Sequence, residues 1–346
     1  IESAASDLIQ LEKLSPKNPF YIDLYRNPAS EFPLHFKLFQ YGKPLPLSDI
    51  LPMIENMDLR TYNESPYKIS IGKETFWISD FSVTHAKGDL LDIASVKNAF
   101  EEAVTKVRFG IMENDGFNRL ILATGLNWRE ITVIRAYAKY LHQARFRFSQ
   151  HYIENAVIAH PDIVKNLIAL FNLKFSPTQK PGIEKKLISL DKQIHDSLEA
   201  ITSLDDDRIL RRFWQLIKAT LRTNYFQTTE NGEPKEYLSF KFKSADVPEL
   251  PLPRPLYEIF VYSPRLEGIH LRAEKVARGG IRWSDRREDF RTEVLGLMKA
   301  QKVKNAVIVP SGAKGGFVLK MAPTEGGREA LQQEVIACYK LFIRGL

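Results

Sequence analysis

Apolar positions alternate between strand-like and helix-like spacing in the N-terminal part of the chain. Residues 33–41 (PLHFKLFQY) are strand-like, and the next segment, LSDILPMIENM, has the spacing of a helix capped by Ser48 or Asp49. The apolar face of this helix would contain Ile50, Ile54 and Met57. Residues 67–83 then predict two strands joined at Gly72-Lys73. The buried positions on these two strands would be Phe76, Ile78 and Phe81. The predicted order is β-α-β-β.

The apolar spacing becomes helical from residue 94 to about residue 226, as in VKNAFEEAVTKVRFGI and WREITVIRAYAKYLHQARF. Residues 175–181 contain Ser and Pro and predict a break between two groups of helices. Three of the four histidines in this block are candidates for metal ligands, but no acids accompany them with the required spacing. They are His142, His151 and His160. We therefore expect an all-α block without a metal site.

Strands alternate with helices in the last part of the chain, beyond a proline-rich connector at residues 245–258. Before the connector, Asn231-Gly232 is a hairpin signal that precedes the alternating strand YLSFKF. After it come the strands YEIFVYS and GIHLRAEKV, a loop, and a helix from a capping pair, Asp285 with Glu288, to about Lys302. The apolar face of that helix would contain Phe290, Val294, Leu297 and Met298. The strand AVIVP and the helix REALQQEVIACYKLFI complete an α/β pattern.

The composition is that of an ordinary globular protein, since 44% of the 346 residues are hydrophobic. The single cysteine, Cys338, excludes an internal disulfide framework and a cysteine-based zinc site. No apolar run approaches the roughly 18 residues of a membrane helix. No signal-peptide pattern opens the sequence either. We therefore expect a cytoplasmic protein with no membrane partner.

A net charge of +7 raises the possibility of nucleic-acid binding. In the densest basic stretch, RGGIRWSDRREDFRTE, acids alternate with the arginines, which is typical of a solvated surface. We therefore expect no nucleic-acid partner. A modest positive excess also suits an anionic small substrate.

The stretch VPSGAKGGFV, residues 309–318, places Lys314 between small residues and glycines after an apolar run. Glycine lets backbone or ligand approach closely, and partial desolvation of the ammonium group would lower its pKa. The frame G-x-x-x-x-G-K-[ST] of a phosphate loop does not precede this lysine, which argues against that alternative. The remaining alternative from local sequence is a glycine turn with a solvated lysine.

The motifs around Lys314 resemble, in order and composition, the substrate domain of glutamate dehydrogenases. Residues 277–318 contain a basic residue before G-G-I-R, a helix that ends in lysine, a strand, and a glycine-flanked lysine. Other segments are similar to the very large bacterial NAD-specific type, namely LRTNYFQ, YLSFKF and EIFVYSPRLEGIHLR. The β-α-β-β segment is similar to ferredoxin-like modules of the amino-acid-sensing ACT type. The resemblance therefore extends over almost the whole chain.

The resemblance implies a role for each basic position in this stretch. Lys314 matches the catalytic lysine, which would activate water against an iminium intermediate. Arg278 stands where many smaller members have the lysine that holds the substrate's side-chain carboxylate, and a guanidinium can bind a carboxylate by two hydrogen bonds. The α-carboxylate would bind Lys304, by the local KNA match, or Lys302, by the usual distance to the catalytic lysine. Gly279 joins this substrate-binding set, because it permits close backbone approach. Further glycines of this kind are Gly280, Gly315 and Gly316.

The resemblance also implies the fold, an α+β multidomain chain. Residues 1–90 would form an ACT-like module, residues 91–228 a helical domain, and residues 229–346 the beginning of the α/β substrate-binding domain. The implied reaction of the parent enzyme, a homo-oligomer, is the deamination of L-glutamate to 2-oxoglutarate and ammonium with reduction of NAD.

Two parts of the family's machinery are missing from the sequence. The family's proton-relaying acid, in a P-A-G-D-like segment, does not occur, and no G-x-G-x-x-G follows any strand. We therefore expect the NAD site to lie outside this chain, and the chain alone to be an inactive piece of a larger enzyme. The alternative function is a regulatory amino-acid-binding module without a catalytic role.

Overall fold

The computed structural model describes residues 2–85, 88, 91–178, 181–304 and 311–346. The helices are α1 (Glu2–Leu11), α2 (Leu47–Glu55), α3 (Ile93–Arg108), α4 (Arg119–Thr124), α5 (Trp128–Gln143), α6 (Gln150–Ala159), α7 (Pro161–Phe175), α8 (Ile183–Glu199), α9 (Leu204–Ala219), α10 (Phe290–Lys304) and α11 (Gly327–Gly345). The strands are β1 (Phe20–Arg26), β2 (Leu34–Tyr41), β3 (Leu59–Ile71), β4 (Glu74–His85), β5 (Thr220–Thr223), β6 (Leu238–Lys243), β7 (Tyr257–Tyr262), β8 (Leu266–Arg272), β9 (Ala277–Arg278), β10 (Ile281–Trp283) and β11 (Ser311–Leu319). The chain forms two compact units, Ile1–Thr132 and Val133–Leu346.

The first unit is built on an antiparallel sheet of four strands in the order β1-β2-β4-β3. Leu11 and Leu14, at and just after the end of α1, pack in one apolar cluster with Phe39, Phe76 and Ile78 of the sheet. A second cluster lies on the other face of the sheet, because its strand residues alternate with those of the first. In it, Phe36 stacks on Phe81 with ring centroids 4.7 Å apart, and Phe100 of α3 packs against Phe36. Helices therefore cover both faces of this sheet.

The β-α-β-β prediction is confirmed for strands β2, β3 and β4 and for helix α2. Gly72 has a φ of 63° in the turn between β3 and β4, a conformation that favours glycine. The predicted cap of α2 is wrong, because the helix begins at Leu47 after Pro46 and has no side-chain cap. The prediction also missed β1, although the alternation in FYIDLYR buries Phe20, Ile22 and Leu24.

The second unit packs helices against a larger sheet. Tyr137 of α5 lies against Phe240 of β6 with ring centroids 4.7 Å apart, and Tyr140 lies against Phe242 with ring centroids 4.4 Å apart. The predicted break between helical groups is confirmed, since α7 ends at Phe175 and α8 begins after it at Ile183. Within the described residues no single helix could cross a membrane by its length and hydropathy. Only the pair α6 and α7, bent by 96°, meets that test together.

The larger sheet has seven strands, and its main path is β10-β11-β8-β7-β6-β5. Along the path from β5 through β6, β7 and β8 to β11, neighbouring strands are antiparallel. Strands β9 and β10 both lie parallel to β11. Helix α10 connects β10 to β11 along the chain, and Val294 of α10 contacts Gly316. Phe342 of α11 contacts Gly315, which precedes Gly316 on β11 and therefore faces the other side of the sheet. Phe342 also contacts Gly268 of β8, which shares the face of Gly315 through its pairing with Phe317. Helix α11 therefore covers the face opposite to α10.

The predicted helices of this part are confirmed as α10 and α11, but the capping pair of α10 is wrong. The backbone amides of Thr292 and Glu293 donate to the carbonyl oxygen of Asp289, so the first turn starts there and not at Asp285. Leu295 is buried in α10, and Leu297 is only half-buried. The predicted strand AVIVP, residues 306–310, lies outside the described residues.

Candidate functional site

Lys314 lies in the middle of strand β11 and not in a turn, which corrects the expectation from local sequence. It pairs with Leu271 of β8, and the strand continues through both following glycines. A Cβ on Gly315 would lie 2.8 Å from Cγ1 of Ile281, and a Cβ on Gly316 would lie 2.5 Å from Cγ2 of Val294. These glycines therefore permit close packing from both sides of the sheet.

Strands β9 and β10 behave as one strand interrupted at Gly279-Gly280. Ala277 pairs with Ser311, and Ile281 pairs with Gly315, so the offset along β11 is constant across the interruption. A Cβ on Gly279 would lie 1.4 Å from the carbonyl oxygen of Ala313, a distance that no side chain can occupy. Glycine at position 279 is therefore required for this approach of the two strands.

The constant offset places Arg278 and Lys314 on the same face of the sheet. Arg278 pairs with Gly312, which precedes Lys314 by two residues and therefore shares its face. Strand spacing and rise give a separation of about 8 Å between the two Cα atoms. Arg278 is exposed and Lys314 is half-buried. Neither side chain makes a hydrogen bond or an ion pair with another described residue, so both cations can bind an anionic ligand as far as the described part of the structure extends.

The last turn of α10 is tied to the same strand through Gln301, a residue that sequence reasoning missed. Its side-chain nitrogen donates to the carbonyl oxygen of Arg278 at 2.9 Å. Its side-chain oxygen is buried and has no hydrogen-bond partner among the described residues. The backbones of Lys302 and Lys304 belong to this turn, while their side chains lie outside the described part of the structure. The one available signal was position, since Gln301 directly precedes Lys302.

A buried ion pair holds the other end of α10. Arg291 donates to both carboxylate oxygens of Glu258 at 3.0 and 2.5 Å, and both side chains are fully buried. Tyr140 of α5 donates its hydroxyl to the same carboxylate at 3.0 Å. Burial, and then the negative charge of Glu258, raise the pKa of Tyr140 well above its ordinary value, so the phenol stays protonated as a donor. This network fixes α10 relative to the sheet and to α5.

No group of three or more His, Cys, Asp and Glu side chains in the described ranges is arranged to hold a metal ion. Of the predicted site residues, the structure brings together Arg278, Gly279 and Lys314 through strand pairing. What this arrangement can do chemically is to bind a carboxylate next to a half-buried amine.

Three family models of glutamate dehydrogenases match successive parts of the chain. Residues 193–346 match the catalytic domain of bacterial NAD-glutamate dehydrogenase. Residues 112–177 match helical motif 3 of glutamate dehydrogenase, and residues 19–96 match its ACT3 domain. Together these models account for most of the chain.

Curated relatives agree with the family models. The chain is 50% identical to the NAD-specific glutamate dehydrogenases of Halomonas elongata and Pseudomonas aeruginosa over 99% of its length. It is 46% identical to that of Mycobacterium tuberculosis over 89% of its length. It spans only 20 to 22% of these three relatives, about a fifth of their length. These matches confirm the resemblance, and the chain belongs to the bacterial NAD-specific glutamate dehydrogenases.

Proposed function

We propose that this chain is part of an enzyme that deaminates L-glutamate to 2-oxoglutarate and ammonium with reduction of NAD. The observation that carries the proposal is the pair of open cations, Arg278 and Lys314, which strand register places on one face about 8 Å apart. A substrate with two carboxylates and a reacting α-carbon needs such positive groups around it. The names of the curated relatives support the same reaction.

In this proposal Lys314 is the catalytic residue. Its amine would activate a water molecule against the iminium carbon, and in the amination direction it would polarise the carbonyl group of 2-oxoglutarate. Arg278 would hold the side-chain carboxylate through parallel hydrogen bonds, and Gly279 would let the substrate approach the backbone. Either Lys304 or Lys302, in the last turn of α10, would bind the α-carboxylate.

NAD would accept the hydride from the α-carbon. We assign its binding to residues outside this chain, because no glycine-rich dinucleotide motif follows any strand of the sequence. The three-domain division at residues 1–90, 91–228 and 229–346, a cytoplasmic location and a homo-oligomeric parent stay predictions.

The test is the rate of NADH consumption by the full-length enzyme with 2-oxoglutarate and ammonium. We expect Lys314→Ala to lose several orders of magnitude in kcat, whereas Lys340→Ala, an exposed lysine of α11, stays within about twofold. Arg278→Gln should raise the KM for 2-oxoglutarate more than tenfold, and Arg278→Lys should recover part of the loss. Undiminished activity of Lys314→Ala would remove the catalytic assignment. Separate alanine variants of Lys302 and Lys304 decide which one binds the α-carboxylate.

A second candidate function, amino-acid binding, belongs to the first unit. Its strand order β1-β2-β4-β3 would be that of an ACT-like module in which β1 takes the place of the last strand. A cleft of about 630 Å³ on this sheet is lined by both acids and cations, as the two ends of an amino acid require. The charged residues of this cleft are Asp7, Asp23, Arg26, Lys37 and Asp80. Binding of an amino acid should survive Lys314→Ala and be lost when residues 34–83 are removed.

A further inference from the structure

A cleft of about 500 Å³ in the second unit lies between the end of α5, the helix α9 and the segment after β6. Five arginines line it, together with Phe146, Phe148 and Glu249. The arginines are Arg145, Arg147, Arg208, Arg211 and Arg212. No residue of the candidate catalytic site belongs to this lining, and the volume is within the range of small-ligand sites.

Two of these arginines are already neutralised by acids. Arg211 donates to Asp207 at 2.7 Å and to Glu199 at 3.0 Å. Arg212 donates to Glu249 at 2.8 Å and to the carbonyl oxygen of Pro248 at 2.8 Å. These two form ordered parts of the cleft wall and have little capacity for a further anion.

The other three arginines carry an excess of positive charge. Arg147 and Arg208 share one carboxylate, that of Asp205, at 3.8 and 3.9 Å, which is beyond hydrogen-bond distance. The guanidinium of Arg145 donates to the neutral hydroxyl of Thr292 at 3.2 Å. The carboxylate of Asp289 also lies near Arg145, but it is paired with Arg286. The five arginines and the four acids Asp205, Asp207, Glu199 and Glu249 therefore leave an excess of one positive charge beside the cleft.

Two residues that line this cleft have a backbone conformation that favours glycine. Among the described residues, three that are not glycine have a positive φ, and two of them, Arg145 at 63° and Glu249 at 58°, line the cleft. Arg145 follows the end of α5. Its amide donates to the carbonyl oxygen of His142, and the amide of Phe146 donates to that of Leu141. In helix ends with these hydrogen bonds, the position of Arg145 is most often occupied by glycine. An arginine thus occupies a position where the backbone conformation favours glycine.

We propose that this arginine cleft, defined by the five arginines above, binds a small anion with phosphate or carboxylate groups, and that the bound anion regulates the enzyme. Guanidinium groups bind phosphate and carboxylate oxygens through parallel hydrogen bonds. Phe148 and Phe146 support two of them, since Arg147 lies over the first ring at 5.2 Å and Arg212 over the second at 4.9 Å. A phosphate and a polycarboxylate share this chemistry, and the experiment separates them.

The cleft is connected to α10 by hydrogen bonds. Arg145 reaches Thr292 in the first turn of α10, as described above. Gln143 donates to the carbonyl oxygen of Arg287 at 2.8 Å and accepts from the amide of Arg291 at 3.2 Å. The far end of the same helix carries Gln301 beside Arg278. An anion that draws Arg145 away from Thr292 would therefore act on the helix that borders the substrate site.

The binding test uses the full-length enzyme, with pyrophosphate and citrate as separate calorimetric probes. NADH and saturating 2-oxoglutarate, without ammonium, keep the catalytic anion sites occupied. We expect at least one probe to bind the wild type, and Arg147→Gln/Arg208→Gln to bind it at least tenfold more weakly. The matched control, Arg254→Gln/Arg328→Gln, removes the same charge from exposed positions and should change binding less than twofold. Failure of both probes to bind the wild type, or equal binding by both double variants, would overturn the proposal.

The regulatory test measures kcat and the KM for 2-oxoglutarate with and without the bound probe, and it rests on the proposed dehydrogenase function. We expect the probe to change the KM in the wild type and in Thr292→Ser, which retains the hydroxyl. Thr292→Val should still bind the probe but lose the change. Binding without any kinetic effect in the wild type would overturn regulation and leave the dehydrogenase function intact. Absence of dehydrogenase activity in the wild type would instead refute the proposed function, while the binding test still stands.

Discussion

Replacement of Gly279 by alanine tests the packing of the interrupted strand against β11. The new Cβ would lie 1.4 Å from the carbonyl oxygen of Ala313, whereas real Cβ contacts essentially never fall below 3.0 Å. The strand must therefore move by at least about 1.6 Å, the difference between these distances. Gly280 is the matched control, because a Cβ at this neighbouring position has no atom within 4 Å.

The required movement is large compared with the hydrogen bonds that hold the strand. The amide of Gly315 donates to the carbonyl oxygen of Gly280 at 3.1 Å, and Gln301 donates to that of Arg278 at 2.9 Å. A third bond joins the amide of Ser311 to the carbonyl oxygen of Val276 at 2.9 Å. Loss of two or three bonds at 0.5–1.5 kcal/mol each gives a destabilisation of about 3 kcal/mol.

The same movement displaces Arg278 relative to Lys314. Misplacement of a catalytic constellation by about 1 Å can reduce the rate on the order of 100-fold. We expect Gly279→Ala to lose at least this factor in kcat/KM in the full-length enzyme, and Gly280→Ala to stay within about threefold. Urea denaturation of the 346-residue chain measures the accompanying loss of stability. Wild-type activity and stability in Gly279→Ala would refute the close strand approach described here.

Three further predictions concern stability and reactivity in the 346-residue chain. Arg291→Met leaves the carboxylate of Glu258 buried without its cation, so the free energy of unfolding in urea should fall by about 3–5 kcal/mol; a fall below 1 kcal/mol would contradict the described pair. Gly296→Ala adds a methyl group to an exposed position of α10 with open space around it, and the same assay should report a gain of about 0.5–1 kcal/mol, not a loss. Burial, and then the hydrogen bond and charge of Glu334, raise the pKa of Cys338 to about 12 from its ordinary value near 9. The rate of thiol labelling at pH 8 should therefore be about a thousandfold lower in the native than in the unfolded chain, and the native rate should rise with pH. The stability of the native chain should fall as pH increases from 9 toward 12, because the unfolded chain loses this proton first. Rapid labelling of the native chain at pH 8 would contradict the raised pKa.

Sequence patterns located most of the long elements because their apolar positions repeat locally. Strands β2 and β4 and helices α10 and α11 all followed from such repeats. The short strands β9 and β10 were read as a loop, because two or three residues carry no periodic signal. Their existence depends on β11, which follows about thirty residues later in the chain.

The candidate site was predicted as a set of residues but not as an arrangement. The pair Gly315-Gly316 indicates a turn when it is considered alone, yet Ile281 and Val294 need those positions without side chains. Such contacts are set by tertiary packing, which local propensity does not contain. The shared face of Arg278 and Lys314 likewise needs the strand register, and Gln301 has no motif that would single it out.

The packing of α5 on the sheet has a practical consequence for recombinant protein. A piece limited to residues 193–346, the range of the catalytic family model, would lack Tyr137 and Tyr140. Phe240 and Phe242 would then lose the rings that cover them, and the Glu258 carboxylate would lose a donor. An uncovered aromatic patch of this kind promotes aggregation. A recombinant piece that keeps this face of the seven-stranded sheet covered should therefore start ahead of α5.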